Sequence, residues 1–160
     1  MFKRKPGKKS TFEKAIQYYL DGDIRDSALE FAAWSRVNGL APRQNGGPAH
    51  WKIPWKDFYL CCIRFDPNKW NIRFFAGNYS GEHDEEFIKA VQDHVGPCVA
   101  CMDQCPKGKD MTIFGKDFAN LCVEFTVQFE NPDRGSLEHI KKLLEYWKTA
   151  GPSDSWHYRD

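Results

Sequence analysis

Two stretches of this chain, sixty residues apart, match one another without gaps. Residues 52–65 read KIPWKDFYLCCIRF, and residues 112–125 read TIFGKDFANLCVEF. An isoleucine, a Lys-Asp-Phe triplet, a cysteine and the last phenylalanine coincide in the two stretches. A match at a fixed spacing is typical of one supersecondary unit used twice. It predicts two related halves, at about 23–81 and 82–149, although two hairpins that merely share a similar turn are the alternative.

Each copy leads into an apolar strand pattern and then into a helical pattern. In the strand at 70–76, Ile72 and Phe74 alternate with Asn71 and Arg73, which is the period of an antiparallel sheet with one buried face. Helices are predicted from Ser10 to a stop at Asp21-Gly22, and at about 23–38, 84–95 and 131–149, the last capped by Asn131. The expected fold class is α+β: duplicated helix-plus-antiparallel-hairpin units forming one curved sheet with helices on one face.

The basic charge is concentrated at the N-terminus. The 160 residues include 23 Lys and Arg against 22 Asp and Glu, but five of the basic residues and none of the acidic ones lie within residues 1–9. The remainder carries 18 basic and 22 acidic side chains, a net charge of −4, which argues against a nucleic-acid-binding domain. We expect a disordered basic tail at 1–9, one domain at 10–150 and a C-terminal tail at 151–160. No apolar run suits a secretory signal or a membrane span, so a cytoplasmic protein is expected.

The segment with the densest chemistry is CVACMDQC, at residues 98–105. Its three thiols have the spacing C-x2-C-x3-C, which lets successive sulfurs point at one centre, as in structural Zn2+ sites. A fourth ligand would come from Cys122 or from His94. Free or redox-active thiols are the first alternative, and an iron–sulfur cluster is the second. The predicted metal ligands are Cys98, Cys101, Cys105, Cys122 and His94, with zinc favoured.

The run C-x2-C-x3-C-P-x-G-K, followed by G-K-x-F-x-N-x-C and F-E-N-P, resembles an uncharacterised family of small bacterial proteins over roughly residues 94–148. More distantly, the duplicated layout over residues 23–149 is similar to the gyrase-inhibitor-like small-molecule-binding domains. That second resemblance implies a hydrophobic, often cationic ligand held between two halves of one domain.

The seam between two such halves is where we expect a ligand, because grooves between repeats commonly hold small molecules. Glu124 interrupts an apolar strand, and in one interpretation it lies in the seam as an anion that selects cationic ligands. In the other interpretation it lies on the solvent side of the sheet, together with Arg64. The predicted ligand-binding residues of the first interpretation are Trp51, Trp55, Tyr59, Trp70 and Glu124.

No catalytic residue is assigned, because the sequence contains no nucleophile elbow, phosphate-binding glycine loop or triad order. The favoured function is a small-molecule-binding domain, with a structural metal-binding cysteine knuckle at 98–105. One alternative is a thiol- or cluster-dependent enzyme that uses Cys98, Cys101 or Cys105. The other is an accessory domain for protein interactions. Oligomeric state does not follow from any of these patterns.

Overall fold

The computed structural model of the chain describes Lys3, residues 5–96 and residues 108–151. Within them the helices are α1 Phe12–Tyr19, α2 Gly22–Val37, α3 Glu85–Asp93 and α4 Arg134–Ala150. The strands are β1 Arg43–Asn45, β2 Gly47–Trp55, β3 Phe58–Asp66, β4 Lys69–Phe75, β5 Lys109–Ile113, β6 Lys116–Leu121 and β7 Phe125–Glu130.

Five of these strands form one open, curved antiparallel sheet in the order β1-β2-β3-β4-β7. Strands β5 and β6 form a separate two-stranded sheet. The predicted α+β class is therefore confirmed, and so is the antiparallel sheet. Among the described helices, none is long and apolar enough to cross a membrane.

Both copies of the sequence repeat form antiparallel hairpins, but the two hairpins differ in detail. The first is β2–β3, with its turn at Lys56-Asp57, and it lies within the main sheet. The second is β5–β6, with its turn at Phe114-Gly115, where both residues have positive φ as a type I′ turn requires. In the sequence alignment these turns are two residues apart. The second hairpin also lies outside the main sheet, and only the end of its repeat, Phe125, enters β7.

Two helix starts differ from the prediction by one to three residues. Thr11, rather than Ser10, caps α1, because its hydroxyl accepts a hydrogen bond from the Lys14 N–H at 3.3 Å. Asp133, rather than Asn131, caps α4, and its carboxylate accepts from the Ser136 N–H at 2.8 Å. Asn131 instead exchanges two hydrogen bonds with the backbone of Trp70, and so ties the end of β7 to the start of β4.

Helices α1, α2 and α4 cover one face of the main sheet, which we call the helix face. Phe12 of α1 packs edge-on against Trp51 of β2, with ring centroids 5.2 Å apart. Phe31 of α2 packs against Trp70 of β4 at 5.8 Å. Lys148, near the end of α4, lies over the ring of Trp55. The hydrophobic core lies between these helices and the sheet.

Two β-bulges change which side chains reach the helix face. Leu60 is the extra residue of β3, since Ile53 pairs with Cys61 while Pro54 pairs with Tyr59. Thr126 is the extra residue of β7, since Phe74 pairs with Val127 while Phe75 pairs with Phe125. At each bulge two successive residues are buried, Leu60 with Cys61 and Thr126 with Val127. Residues on the two sides of a bulge therefore follow opposite patterns of which side chains face the helices.

Candidate functional site

The face of the sheet opposite the helices carries two rows of polar side chains that cross four strands. The first row is Lys52, Cys62, Arg73 and Gln128 on β2, β3, β4 and β7. The second row, in the same strand order, is His50, Arg64, Asn71 and Glu130. We call this surface the polar face. Such a row forms because directly paired residues of neighbouring antiparallel strands lie side by side on one face.

A groove of about 580 Å3 lies on the polar face. Its floor is formed by β3, β4 and β7, and one wall is formed by the end of α3 with the residues that follow it. Its lining includes both signs of charge, which are partly paired: Arg64 with Asp66 of the same strand at 3.2 Å, and Lys69 of β4 with Glu130 of β7 at 2.9 Å. The lining residues are Arg64, Asp66, Lys69, Asn71, Arg73, Asp93, His94, Val95, Gly96, Gln128 and Glu130.

At the centre of the groove floor lie two buried polar residues, Asn71 and Arg73. Their exposed fractions are 7% and 9%. The Arg73 Nε–H donates to the Asn71 side-chain oxygen at 2.8 Å, and its guanidinium lies 5.0 Å from the centre of the Phe125 ring. A charged group is rarely buried to this extent unless a specific interaction holds it. Asn71 and Phe125 therefore fix the direction in which the guanidinium points.

The two thiols of β3 are poor nucleophiles. Cys61 is buried on the helix face and Cys62 lies on the polar face, because successive residues of a strand point to opposite faces. Burial raises the pKa of Cys61 well above its ordinary value. Burial also raises the pKa of Cys62 to about 11, although the charges of Lys52 and Arg73 oppose the rise. Both groups are therefore protonated near neutral pH, which does not suit thiolate chemistry.

The five predicted ligand-binding residues are not brought together. Trp51 and Trp70 are 3% and 0% exposed, and lie under α1 and α2 on the helix face. Trp55 contacts Lys148 of α4 on the same face. Tyr59, which the Leu60 bulge turns to the polar face, lies under the Lys52 ammonium at 4.5 Å.

Glu124 is exposed just before β7, close enough to Cys62 for its charge to raise the pKa of that thiol. The sheet therefore lies between Glu124 and the three tryptophans. Glu124 and Tyr59 are the two predicted residues that remain on the side of the polar face.

Cys122 is buried in the short link between β6 and β7. Its sulfur accepts hydrogen bonds from the N–H groups of Glu124 and Phe125, both at 3.4 Å. Backbone N–H donors two and three residues after a cysteine are a common arrangement around metal-bound sulfurs, whose negative charge they stabilise. The backbone at Cys122 thus already has the form that suits a metal-bound sulfur.

The described chain stops at Gly96 and resumes at Gly108, and both ends lie near Cys122. The Gly96 N–H donates to the carbonyl of Thr126, whose hydroxyl in turn donates to the carbonyl of Cys122 at 3.2 Å. Lys109, the first residue of β5, pairs with Leu121, the residue next to Cys122. Cys98, Cys101 and Cys105 lie outside the described residues. Within those residues, no group of three or more His, Cys, Asp or Glu side chains could hold a metal ion.

His94 is the second candidate for a fourth metal ligand, and it lies at the end of α3. Its Nδ1–H donates to the Ala90 carbonyl at 2.7 Å, and its ring stacks on Phe129 with centroids 4.1 Å apart. This arrangement leaves Nε2 as the ring nitrogen that could bind a metal, since metal-bound histidines usually donate their other ring N–H to a carbonyl or a carboxylate. However, the His94 carbonyl accepts a hydrogen bond from the Gln128 N–H, whereas the Gly96 N–H donates to the Thr126 carbonyl. His94 therefore contacts β7 two residues further from Cys122 than Gly96 does.

Asn71 and Arg73 lie on the predicted polar side of an alternating strand, but neither is among the predicted site residues. The signal available was their position in KWNIRFF, where two hydrogen-bonding side chains are surrounded by aromatic and aliphatic ones.

No family model, no curated protein and no solved structure matches this chain. The site therefore has to be interpreted from its own geometry.

Proposed function

We propose that this protein is a small-molecule-binding domain whose ligand occupies the groove on the polar face. The observation that carries the proposal is the pair of Asn71 and Arg73, whose polar side chains are held in a fixed geometry at the floor of a groove of about 580 Å3. Ligand pockets of small molecules typically have volumes of roughly 300 to 1,000 Å3 and a few fixed polar groups that orient the ligand.

The lining favours a polar ligand that both donates and accepts hydrogen bonds. Arginine and lysine side chains supply donors, Asp66 and Glu130 supply acceptors, and Gln128 supplies both. A mixed lining of this kind suits a zwitterion or a polar acid better than a purely apolar cation. The cationic ligand that sequence analysis expected at Glu124 would have to bind without the three tryptophans, because these lie on the other face of the sheet.

We further propose that a structural Zn2+ is held by Cys98, Cys101, Cys105 and Cys122. A chain of two residues spans at most about 7 Å and one of four residues about 14 Å. In the sequence, Cys98 follows Gly96 by two residues and Cys105 precedes Lys109 by four. Since Gly96 and Lys109 both lie beside Cys122, the Cys122 sulfur suits a metal ion shared with the three thiols better than His94 does. The metal would then fix the segment that borders the groove, since Gly96 is part of the groove wall.

A melting-temperature screen tests the ligand proposal. The probes are free amino acids, small carboxylic acids and planar aromatic cations, each at millimolar concentration. We expect amino acids or carboxylic acids to raise the melting temperature, and the rise to disappear in Gln128→Ala and in Arg64→Ala. Arg134→Ala is the matched control, because Arg134 pairs with Glu30 away from the groove. If the groove variants retain the full rise, the ligand binds elsewhere and the groove proposal is wrong.

Elemental analysis of the purified protein tests the metal proposal. We expect one equivalent of zinc in the unmodified protein, in Cys62→Ser and in His94→Gln, and little or none in Cys122→Ser. Loss of zinc from His94→Gln but not from Cys122→Ser would assign the fourth position to His94. Iron with a brown colour would support a cluster instead. A protein without metal would favour free thiols, and with them the thiol-dependent enzyme.

A further inference from the structure

The N-terminal segment folds back over α1 and forms a second groove. The Gly7 carbonyl accepts hydrogen bonds from the Ser10 N–H and from the Gln44 side chain, both at 3.1 Å. The Lys3 ammonium donates to the Leu20 carbonyl at 3.2 Å and to the Asp21 carboxylate at 2.5 Å. Between this segment and α1 lies a cavity of about 720 Å3. We call it the basic groove and define it by Lys3, Lys5, Lys9, Lys14, Gln17 and Tyr18.

Positive charge in the basic groove is largely unneutralised. Among the described residues that line it, none carries a carboxylate. Lys3 pairs with Asp21, but Lys5, Lys9 and Lys14 form no ion pair within the described part of the chain. Many lysines elsewhere are paired with acidic residues, for example Lys69 with Glu130 and Lys142 with Asp84. Three ammonium groups around one concave surface create a local positive potential that attracts anions.

We propose that the basic groove binds a small polyanion with two or more phosphate groups. Ammonium groups bind phosphate oxygens through short charge-assisted hydrogen bonds. The Ser10 hydroxyl and the Gln17 amide at the same cavity supply neutral donors. The site differs from the polar-face groove, because α1 packs on the helix face of the sheet.

The dimensions favour a small ligand over an extended polymer. Helix α1 has eight residues and is therefore about 12 Å long. Beyond residue 9 the chain carries a net charge of −4, so a long nucleic acid would leave the basic groove and meet a mildly acidic surface. An anionic membrane would in addition need an apolar anchor for stable binding, and among the described lining residues Pro6 and Tyr18 are the only ones with a cyclic apolar or aromatic side chain.

Calorimetric titration of the full chain with inorganic tripolyphosphate tests the proposal. Any purification tag should be at the C-terminus. We expect one molecule bound per chain, with an affinity that falls as salt is raised from 50 to 200 mM, because the contacts are ionic (roughly severalfold, by analogy with counterion release). In the triple variant Lys5→Gln/Lys9→Gln/Lys14→Gln we expect a loss of roughly tenfold or more, since several exposed charge pairs each contribute modestly.

The matched control is Lys56→Asn/Lys109→Gln/Lys116→Gln, which removes the same charge from exposed positions outside the basic groove. It should bind tripolyphosphate within about twofold of the unmodified protein. Lys5→Arg/Lys9→Arg/Lys14→Arg should retain binding, which excludes a folding defect as the cause of the loss. An equal loss in the control triple variant, or no binding by the unmodified protein, would overturn the proposal. So would a single-stranded oligonucleotide or anionic vesicles that bind at the same lysines and are not displaced by tripolyphosphate.

Discussion

Removing the Asn71 side chain tests whether a fixed polar pair forms the floor of the groove. Asn71→Ala deletes the acceptor of the 2.8 Å hydrogen bond from Arg73, and both partners are more than nine-tenths buried. Net contributions of hydrogen bonds to charged groups are about 1.5 to 3 kcal/mol, and a buried donor that loses its acceptor adds a desolvation penalty. We therefore expect the free energy of unfolding to fall by about 2 kcal/mol. For a chain of this size that corresponds to a decrease in melting temperature of roughly 4 to 8 °C.

A double-mutant cycle separates this pair from general effects of truncation. Urea unfolding, followed by tryptophan fluorescence, is measured for Asn71→Ala, Arg73→Met and the double variant. A direct interaction predicts a coupling energy of about 1 to 2 kcal/mol, because the second substitution removes a partner that has already lost its bond. A coupling energy below about 0.5 kcal/mol would mean that the two side chains act independently, and the reasoning about a fixed pair would be refuted.

Asn38→Ala is the control for the residue type. The Asn38 amide donates to the Trp34 carbonyl at the same distance, 2.8 Å, but Asn38 is exposed. Its loss should lower the free energy of unfolding by less than about 1 kcal/mol, since water replaces the lost bond. If Asn38→Ala and Asn71→Ala lower the free energy of unfolding by a comparable amount, burial of the Asn71–Arg73 pair contributes little.

Three further predictions concern packing, pH and capping. Gly77→Ala should destabilise the fold by about 1 to 3 kcal/mol, because its Cβ would overlap the buried ring of Trp147, whereas Gly135→Ala on α4 should be neutral or stabilising; urea unfolding measures both. The pKa of His50 should lie below 6.5 in an NMR titration and rise in Arg64→Gln, because burial, and then repulsion by Arg64 and Arg73, disfavour the protonated ring. The His50 ring then binds its proton more tightly in the unfolded chain than in the folded protein, so the free energy of unfolding should fall as pH drops below 6.5. Asp133→Ala should lower the free energy of unfolding by about 1 kcal/mol and Asp133→Asn by less, since asparagine still caps α4. The Ser136 N–H is the chief cause that lowers the pKa of the Asp133 carboxyl, so the stabilisation by this carboxylate should be lost as the solution becomes more acidic than pH 4.

Much of the fold follows from periodicity, but the pairing of the second hairpin does not. The alternation in β4 and the apolar stripes of the helices predict their elements within a few residues. The Lys-Asp-Phe triplet predicts a turn in both copies, yet in the second copy the turn forms two residues earlier, at Phe114-Gly115. Glycine explains the difference, because it accepts the positive φ of a two-residue hairpin turn at little cost. The first copy has Trp55 at that position and turns at Lys56-Asp57 instead.

The predicted ligand-binding residues lie on both faces of the sheet, and for Tyr59 the reason is that faces cannot be counted through a bulge. Strict alternation places Phe125 with Val127 and Phe129, and Tyr59 with Cys61. The extra residues Thr126 and Leu60 break these series, and both Phe125 and Tyr59 turn to the polar face. A bulge depends on how two strands pair, so the sequence of one strand contains only a weak signal for it.

The same two bulges connect the fold to the proposed function. Each places an aromatic ring beside a cation of the same row: Tyr59 under Lys52 at 4.5 Å, and Phe125 near Arg73 at 5.0 Å. Without the Thr126 bulge, Phe125 would point towards the helices, and the guanidinium would lose the ring that helps to fix it. Bulges of this kind are common next to functional sites, because they redirect single side chains without altering the rest of the sheet. The Thr126 bulge thus places the Phe125 ring beside Arg73 at the floor of the proposed binding groove. The Leu60 bulge places Tyr59 beside Lys52 on the same face, next to the groove and not in its described lining.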